Sequence, residues 1–194
     1  MVKYYWFDKF KAYVTENQPM PTSSKPRFTL THILFFLYCF FIVWAVLFKT
    51  SFSLSEFRDM IFSRPRTLNL IPFYYDCDVS IRFHISEVLM NAVLFFPFGV
   101  YLKMLDIPTR KAILTGFLLS FALELCQFAF ALGAADITDL ITNTSGTAAG
   151  VCLYLLALKL FRNKTKINKV LSVLALTATI LLGLLLLLIG LANR

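Results

Sequence analysis

The sequence predicts an all-α, polytopic membrane protein, a helix bundle with about five transmembrane helices. The chain is 58% hydrophobic and only 15% charged, with a mean hydropathy of +0.71, whereas soluble domains are closer to half apolar and a quarter charged. Its apolar residues form runs of about 20, the length that a helix needs to cross roughly 30 Å of hydrocarbon. Its basic residues, which give a net charge of +8, lie mainly between these runs.

Each apolar run predicts one helix. The first run, Phe28–Phe48, is too long for a signal-peptide core and no small-residue cleavage site follows it, so it predicts a retained helix. The other helices are predicted at about Ser86–Leu105, Lys111–Leu132, Asp139 or Leu140 to Phe161, and Val170–Leu191. Pro97 and Gly99 are expected to interrupt the second helix, and Gly146 and Gly150 predict a face for close helix packing in the fourth.

Residues 1–27 are predicted to be a basic cytoplasmic segment, and residues 28–194 a membrane domain. With the N-terminus inside and the C-terminus outside, 13 of the 19 Lys and Arg residues lie on the inside, as the positive-inside rule requires. The short loops decide the orientation. Those around Arg110 and Lys164 are basic, whereas the loop before the fourth helix holds Asp136 and Asp139 and no Lys or Arg.

The composition argues against several other classes of protein. The positive charge acts as a topology signal and as a contact for anionic lipid, so no nucleic-acid partner is expected. The four cysteines form no CxxC motif and no disulfide framework, and there is no His-rich ligand pattern. No metal site and no cofactor are therefore predicted.

Polar residues from three helices and a loop are predicted to converge in the outer half of the membrane. Glu124 lies eight residues before Leu132, which places it about 12 Å below the outer end of the third helix. Gln127 shares its face. The candidate ligand-binding residues are Asn69, Asn91, Glu124, Gln127, Asp136, Asp139 and Asn143.

Glu124 is the sharpest of these signals, because an ionisable residue inside a transmembrane segment normally faces the bundle or a wet cavity and marks function. Amide donors from Asn91, Gln127 and Asn143 are expected to reach it. A structural alternative stays open, in which Glu124 and Gln127 only form hydrogen bonds between helices. Asp139 suits the role of helix cap, which leaves Asp136 as the more interesting of the two aspartates.

The polar pattern resembles that of the VanZ-like family of bacterial membrane proteins. The matching segments are Asn69–Phe73, Asn91–Gly99, Glu124–Gln127 and Asp136–Gly146, within a family-like core of about 69–161. One departure is Gly133, since the family often has an arginine three residues before the first aspartate. The resemblance implies a link to low-level resistance to teicoplanin and related lipid-tailed glycopeptides, in the bacterial cell membrane.

Three functional hypotheses follow. The first is an outer polar pocket that binds an amphipathic ligand, either a cell-wall lipid intermediate or a lipid-tailed glycopeptide. The second is an intramembrane enzyme that acts on a lipid-linked substrate through Glu124 and Asp136, with a divalent cation as an option. The third is a small transporter, against which the scarcity of polar residues in the inner half argues. The oligomeric state is left open.

Overall fold

The computed structural model describes residues 30–47, 66–74 and 80–177. The predicted N-terminal segment, Cys77 and most of the predicted fifth helix lie outside these residues. The elements are, in chain order, α1 (Leu30–Leu47), β1 (Leu68–Asn69), α2 (Ile81–Met104), α3 (Thr109–Phe130), β2 (Ala135–Asp136), α4 (Ile137–Phe161) and α5, described over 164–177. Helices α1 to α4 are each long and apolar enough to cross a membrane. The predicted fold class, a polytopic bundle of membrane helices, is confirmed.

Two helix starts differ from the prediction. Helix α2 begins at Ile81, five residues early, because Arg82 and His84 lie in its first turns instead of in a loop. Helix α5 begins at position 164, six residues before Val170, and its first turn carries the lysines that were interpreted as loop. In both cases the helix extends beyond its apolar run into a polar segment that hydropathy alone assigns to the connection.

Helices α2 and α4 form the centre of the bundle. A Cβ built on Gly146 would lie 2.1 Å from the carbonyl oxygen of Ala92, and one on Gly150 would lie 2.0 Å from that of Phe96. The predicted close-packing face is therefore confirmed. Because these contacts follow the same order along both helices, α2 and α4 run parallel, and α3 returns between their ends in the opposite direction.

This arrangement gives the bundle two chemically different ends. The polar end is where α2 and α4 begin and where α1 and α3 end. The basic end is where α2 and α4 end, and the helix ends and connections there carry eight basic residues, Lys103, Arg110, Lys111, Lys159, Arg162, Lys164, Lys166 and Lys169. At this end Lys164 forms an ion pair with Asp106.

The core packs α1 against this centre, with Ile42, Val46, Phe95 and Leu123 in one buried cluster. The predicted interruption at Pro97 is wrong, since α2 continues through it as one helix. Proline lacks a backbone N–H, so Pro97 cannot donate to the carbonyl four residues earlier, that of Val93. The next carbonyl oxygen, that of Leu94, accepts from the Tyr38 hydroxyl at 2.6 Å. The neighbouring Gly99 lies against the Thr147 backbone, where a Cβ would come within 2.1 Å of the carbonyl oxygen.

Candidate functional site

The candidate site is built around the turn that joins α3 to α4 at the polar end. Helix α3 ends because Ala131 adopts a left-handed conformation, with φ 52°, and the Leu132 N–H then donates to the Gln127 carbonyl oxygen at 3.0 Å. This is the usual geometry of a helix C-terminus. The chain reverses there, so that residues 133–136 fold back along the last turns of α3.

Glu124 lies beneath this turn, six residues before the end of α3 and so about 9 Å inside it. Its side chain is only 7% exposed, and its Oε2 accepts a hydrogen bond from the Asp136 backbone N–H at 2.8 Å. The carboxylate is thus directed into the protein and toward the turn, away from the lipid-facing surface of α3.

Asp136 organises the start of α4. It is the N-cap residue, and its Oδ1 accepts from the Thr138 backbone N–H at 2.7 Å. Its Oδ2 accepts from the Asn69 side-chain amide at 3.0 Å. Assignment of the cap to Asp139 was wrong, because the helix starts two residues earlier than the apolar run suggests; Asp139 instead lies half-buried in the first turn.

The segment 66–74 covers this turn. Leu68 and Asn69 pair in parallel with Ala135 and Asp136 in a two-residue ladder. The Asn69 Oδ1 accepts from the Ile71 backbone N–H at 3.1 Å, and the Phe73 backbone N–H donates to the Thr138 hydroxyl at 2.9 Å. The segment is therefore fixed to the start of α4 by both backbone and side chains.

A cavity of about 280 Å³ lies between segment 66–74, α3 and the start of α4. Its lining residues are Leu68, Leu70, Phe121, Glu124, Leu125, Phe128, Ala135, Asp136, Ile137 and Leu140. Two of these residues, Glu124 and Asp136, are acidic and the rest are apolar. We call this space the Glu124 cavity.

Two other predicted site residues, Gln127 and Asn143, lie between helices and do not line this cavity. Gln127 is 2% exposed and donates through Nε2 to the Val46 carbonyl oxygen at 3.1 Å, at the end of α1. Asn143 is 1% exposed and donates through Nδ2 to the Ser120 hydroxyl at 3.0 Å. The predicted donation from these amides to Glu124 is therefore replaced by other contacts. Within the described residues, the Asn91 Nδ2, Gln127 Oε1 and Asn143 Oδ1 atoms are buried without hydrogen-bond partners.

The structure thus places five of the seven predicted residues in two groups. Asn69, Glu124 and Asp136 are connected by hydrogen bonds beside the cavity, whereas Gln127 and Asn143 join helices inside the bundle. Across residues 30–47, 66–74 and 80–177, no three His, Cys, Asp or Glu side chains are grouped as metal ligands.

Three contributing residues were missed by the sequence analysis. Ser120 lies one turn before Glu124 on the same buried face of α3, so its i,i+4 spacing was a usable signal. Thr138 was also recognisable, as the residue that an aspartate cap at 136 would bond. Arg66, whose guanidinium donates to the Ala129 carbonyl oxygen at 3.4 Å, carries no sequence signal, because only the fold brings it to the end of α3.

Fold and site together define a polytopic helical membrane protein with an acidic, mainly apolar cavity at one end of the bundle. The chain belongs to the VanZ/LLP1 family, which matches residues 35–162. It is 34% identical over 155 residues to the Protein VanZ of Enterococcus faecium, which covers 79% of this chain and 90% of that protein. No solved structure matches it. The resemblance inferred from the polar motifs is confirmed.

Proposed function

We propose that this protein resides in the bacterial cell membrane and binds an amphipathic ligand in the Glu124 cavity, which faces the outside of the cell. The ligand is a cell-wall lipid intermediate or a lipid-tailed glycopeptide, and its binding contributes to low-level resistance of the teicoplanin type. The observation that carries this proposal is the pair of carboxylates, Glu124 and Asp136, in the lining of an otherwise apolar cavity at the polar end.

The energetics of the membrane support a functional role for Glu124. A carboxylate in the middle of a transmembrane helix costs a few kcal/mol on insertion scales, so such residues are retained mainly where they act on a ligand or an ion. Here the carboxylate is held by the Asp136 backbone N–H, and Asp136 is itself held by Asn69 and Thr138. The oxygens are therefore fixed in advance, which lowers the entropy cost of binding a partner.

The charge distribution supports an outward-facing cavity. The helix ends and connections at the basic end carry eight Lys and Arg residues, and positively charged segments that flank membrane helices remain on the cytoplasmic side of bacterial membranes. The Glu124 cavity lies at the opposite end, within reach of molecules that enter the outer leaflet.

The hydrogen bonds that the two carboxylates already form favour a binding role over general acid–base catalysis. The two oxygens of Asp136 accept hydrogen bonds from Asn69 and from Thr138. Glu124 accepts a hydrogen bond from the Asp136 backbone N–H. Carboxylates bonded in this way are fixed in position and stabilise the turn, which suits binding more than proton transfer. Catalysis on a lipid-linked substrate remains an outcome that the experiment below distinguishes.

The test compares Glu124→Ala with Glu87→Ala in a teicoplanin-sensitive bacterium that expresses the protein. Glu87 is an exposed carboxylate near the same end of the bundle and does not line the cavity, so it controls for the loss of one charge. At equal protein abundance, Glu124→Ala should return the inhibitory concentration of teicoplanin to that of the empty vector, while Glu87→Ala should retain protection.

Lipid profiles of the same strains separate binding from catalysis. An enzyme would leave its lipid-linked substrate accumulated in the Glu124→Ala strain, whereas a binding protein would leave the profile unchanged. Full protection by Glu124→Ala at normal abundance would overturn the proposal.

A further inference from the structure

A second cavity adjoins the Glu124 cavity on the surface of the same two helices. It has a volume of about 440 Å³ and is lined by Phe117, Ile137, Leu140, Ile141, Thr144, Ser145 and Ala148. Ile137 and Leu140 line both cavities. The two spaces therefore share part of their wall, and we call them together the α3–α4 groove.

The groove has the length of one membrane leaflet. From Ile137 to Ala148 it follows α4 for about 16 Å, at 1.5 Å per residue. Half of the roughly 30 Å hydrocarbon core is about 15 Å. The groove therefore begins at the polar end of the bundle and has about the length of the hydrocarbon of one leaflet.

The walls and floor of the groove suit a hydrocarbon chain. On the α3 side, the rings of Phe117 and Phe121 are parallel, with centroids 6.2 Å apart, and both are substantially exposed. On the α4 side, small residues leave room along the helix. The Thr144 hydroxyl donates to the Leu140 carbonyl oxygen at 2.7 Å, so this polar group is already satisfied and does not oppose an apolar neighbour.

The upper end of the groove, which lies at the polar end of the bundle, has charged residues in its lining. Its charged lining residues, Glu124 and Asp136, are both acidic, and Asp139 lies in the adjoining first turn of α4. Carboxylates accept hydrogen bonds and attract cations, whereas they repel phosphate. The two carboxylate groups lie behind the lining surface at the upper end of the groove, with oxygens that accept hydrogen bonds from the α3–α4 turn and from segment 66–74, and the lining below them is mainly apolar.

We propose that the α3–α4 groove binds a single acyl chain along its length, and that the head of this ligand is an amine or another donor-rich group rather than a phosphate. This inference rests on the proposed function for the role of Glu124, and it adds the position of the tail and the charge of the head. It favours a lipid-tailed molecule with an amino group over a lipid-linked pyrophosphate.

The experiment uses the full-length protein in phosphatidylcholine nanodiscs and two photoreactive probes. One is dodecylamine with a diazirine at the end of its chain, and the other is dodecyl phosphate with the same diazirine. After irradiation, mass spectrometry should locate the amine probe on Phe117 and on residues 141–148. It should label them about tenfold more than the phosphate probe, the ratio given by about 1.4 kcal/mol of differential binding.

Two neighbouring alanines provide a matched pair of variants. Ala148 lines the groove, whereas Ala149 is exposed on a different part of α4 and does not line it. Ala148→Trp should fill the groove and reduce the labelling severalfold, and Ala149→Trp should leave it unchanged. Ser145→Leu, which fills the same space with a smaller side chain, serves where the tryptophan variant does not fold.

The inference is overturned by labelling that persists in both groove-filling variants or that spreads evenly over all lipid-facing helices. Equal labelling by the phosphate probe would overturn the assigned head chemistry. The two proposals fail separately. Unchanged resistance in Glu124→Ala together with selective labelling of the groove removes the proposed function and leaves the acyl-chain site, while loss of resistance in that variant without labelling of the groove removes this inference alone.

Discussion

Asp136 takes part in three hydrogen bonds in the candidate site. One oxygen caps α4 through Thr138, the other accepts from Asn69, and its backbone N–H donates to Glu124. Sequence reasoning placed this residue at the site but assigned the cap to Asp139. The error has a physical cause: hydropathy locates where a helix becomes apolar, whereas the cap is the last residue with extended backbone, here φ −125° and ψ 126°.

Asp136→Ala should therefore destabilise the protein more than Asp139→Ala. The first change removes an N-cap, typically about 1 kcal/mol, and a hydrogen bond to Asn69, about 1 kcal/mol more. The second removes a favourable charge near the helix N-terminus, about 0.5 kcal/mol, and leaves the cap in place. Reversible unfolding in mixed detergent micelles measures both. An equal or larger loss for Asp139→Ala would contradict this assignment of the cap.

For Glu124, the sequence predicted the burial of the side chain but not its hydrogen-bond donor. Its burial was predicted, because a lone carboxylate in an apolar run has to avoid lipid. Its partner was not, since the donor is a backbone N–H that any residue type at position 136 except proline would supply. Amide side chains were the expected donors, but Gln127 and Asn143 bond Val46 and Ser120 instead.

At the scale of elements, the helices were predictable and the short pairing of β1 with β2 was not. Apolar runs of sufficient length leave few alternatives to a helix in lipid. In contrast, β1 and β2 contain two residues each, too few for any periodic pattern. Their pairing depends on segment 66–74 returning to the α3–α4 turn, which requires knowledge of the fold.

The contact between α2 and α4 yields a second prediction. Gly146→Ala should separate these helices, because the new Cβ would meet the Ala92 backbone oxygen at 2.1 Å and backbone cannot move aside locally. The expected loss is about 1–3 kcal/mol, visible as a lower thermal inactivation temperature in detergent. Gly133→Ala is the matched control, since its Cβ would meet only the Gln127 side chain at an ordinary 3.6 Å. Equal tolerance of both alanines would contradict the described helix contact.

At the scale of the whole molecule, the two ends of the bundle should face opposite sides of the membrane. We expect a cysteine at Tyr74, exposed at the polar end, to react with a membrane-impermeant maleimide on intact cells that express an otherwise cysteine-free protein. A cysteine at Arg110, exposed at the basic end, should react only after permeabilisation. The reverse pattern would place the Glu124 cavity inside the cell.

The proposed site requires that the Glu124 carboxylate lies beneath the α3–α4 turn, and solid-state NMR in lipid bilayers measures this position directly. Protein labelled with ¹³C in the glutamate side-chain carboxyl groups and with ¹⁵N in the aspartate backbone should show measurable ¹³C–¹⁵N dipolar dephasing, because the 2.8 Å hydrogen bond from the Asp136 N–H to the Glu124 Oε2 holds the carboxyl carbon within about 4 Å of that nitrogen. The dephasing should disappear in Glu124→Leu. Absence of this signal in the unmodified protein would mean that the carboxylate does not lie beneath the α3–α4 turn.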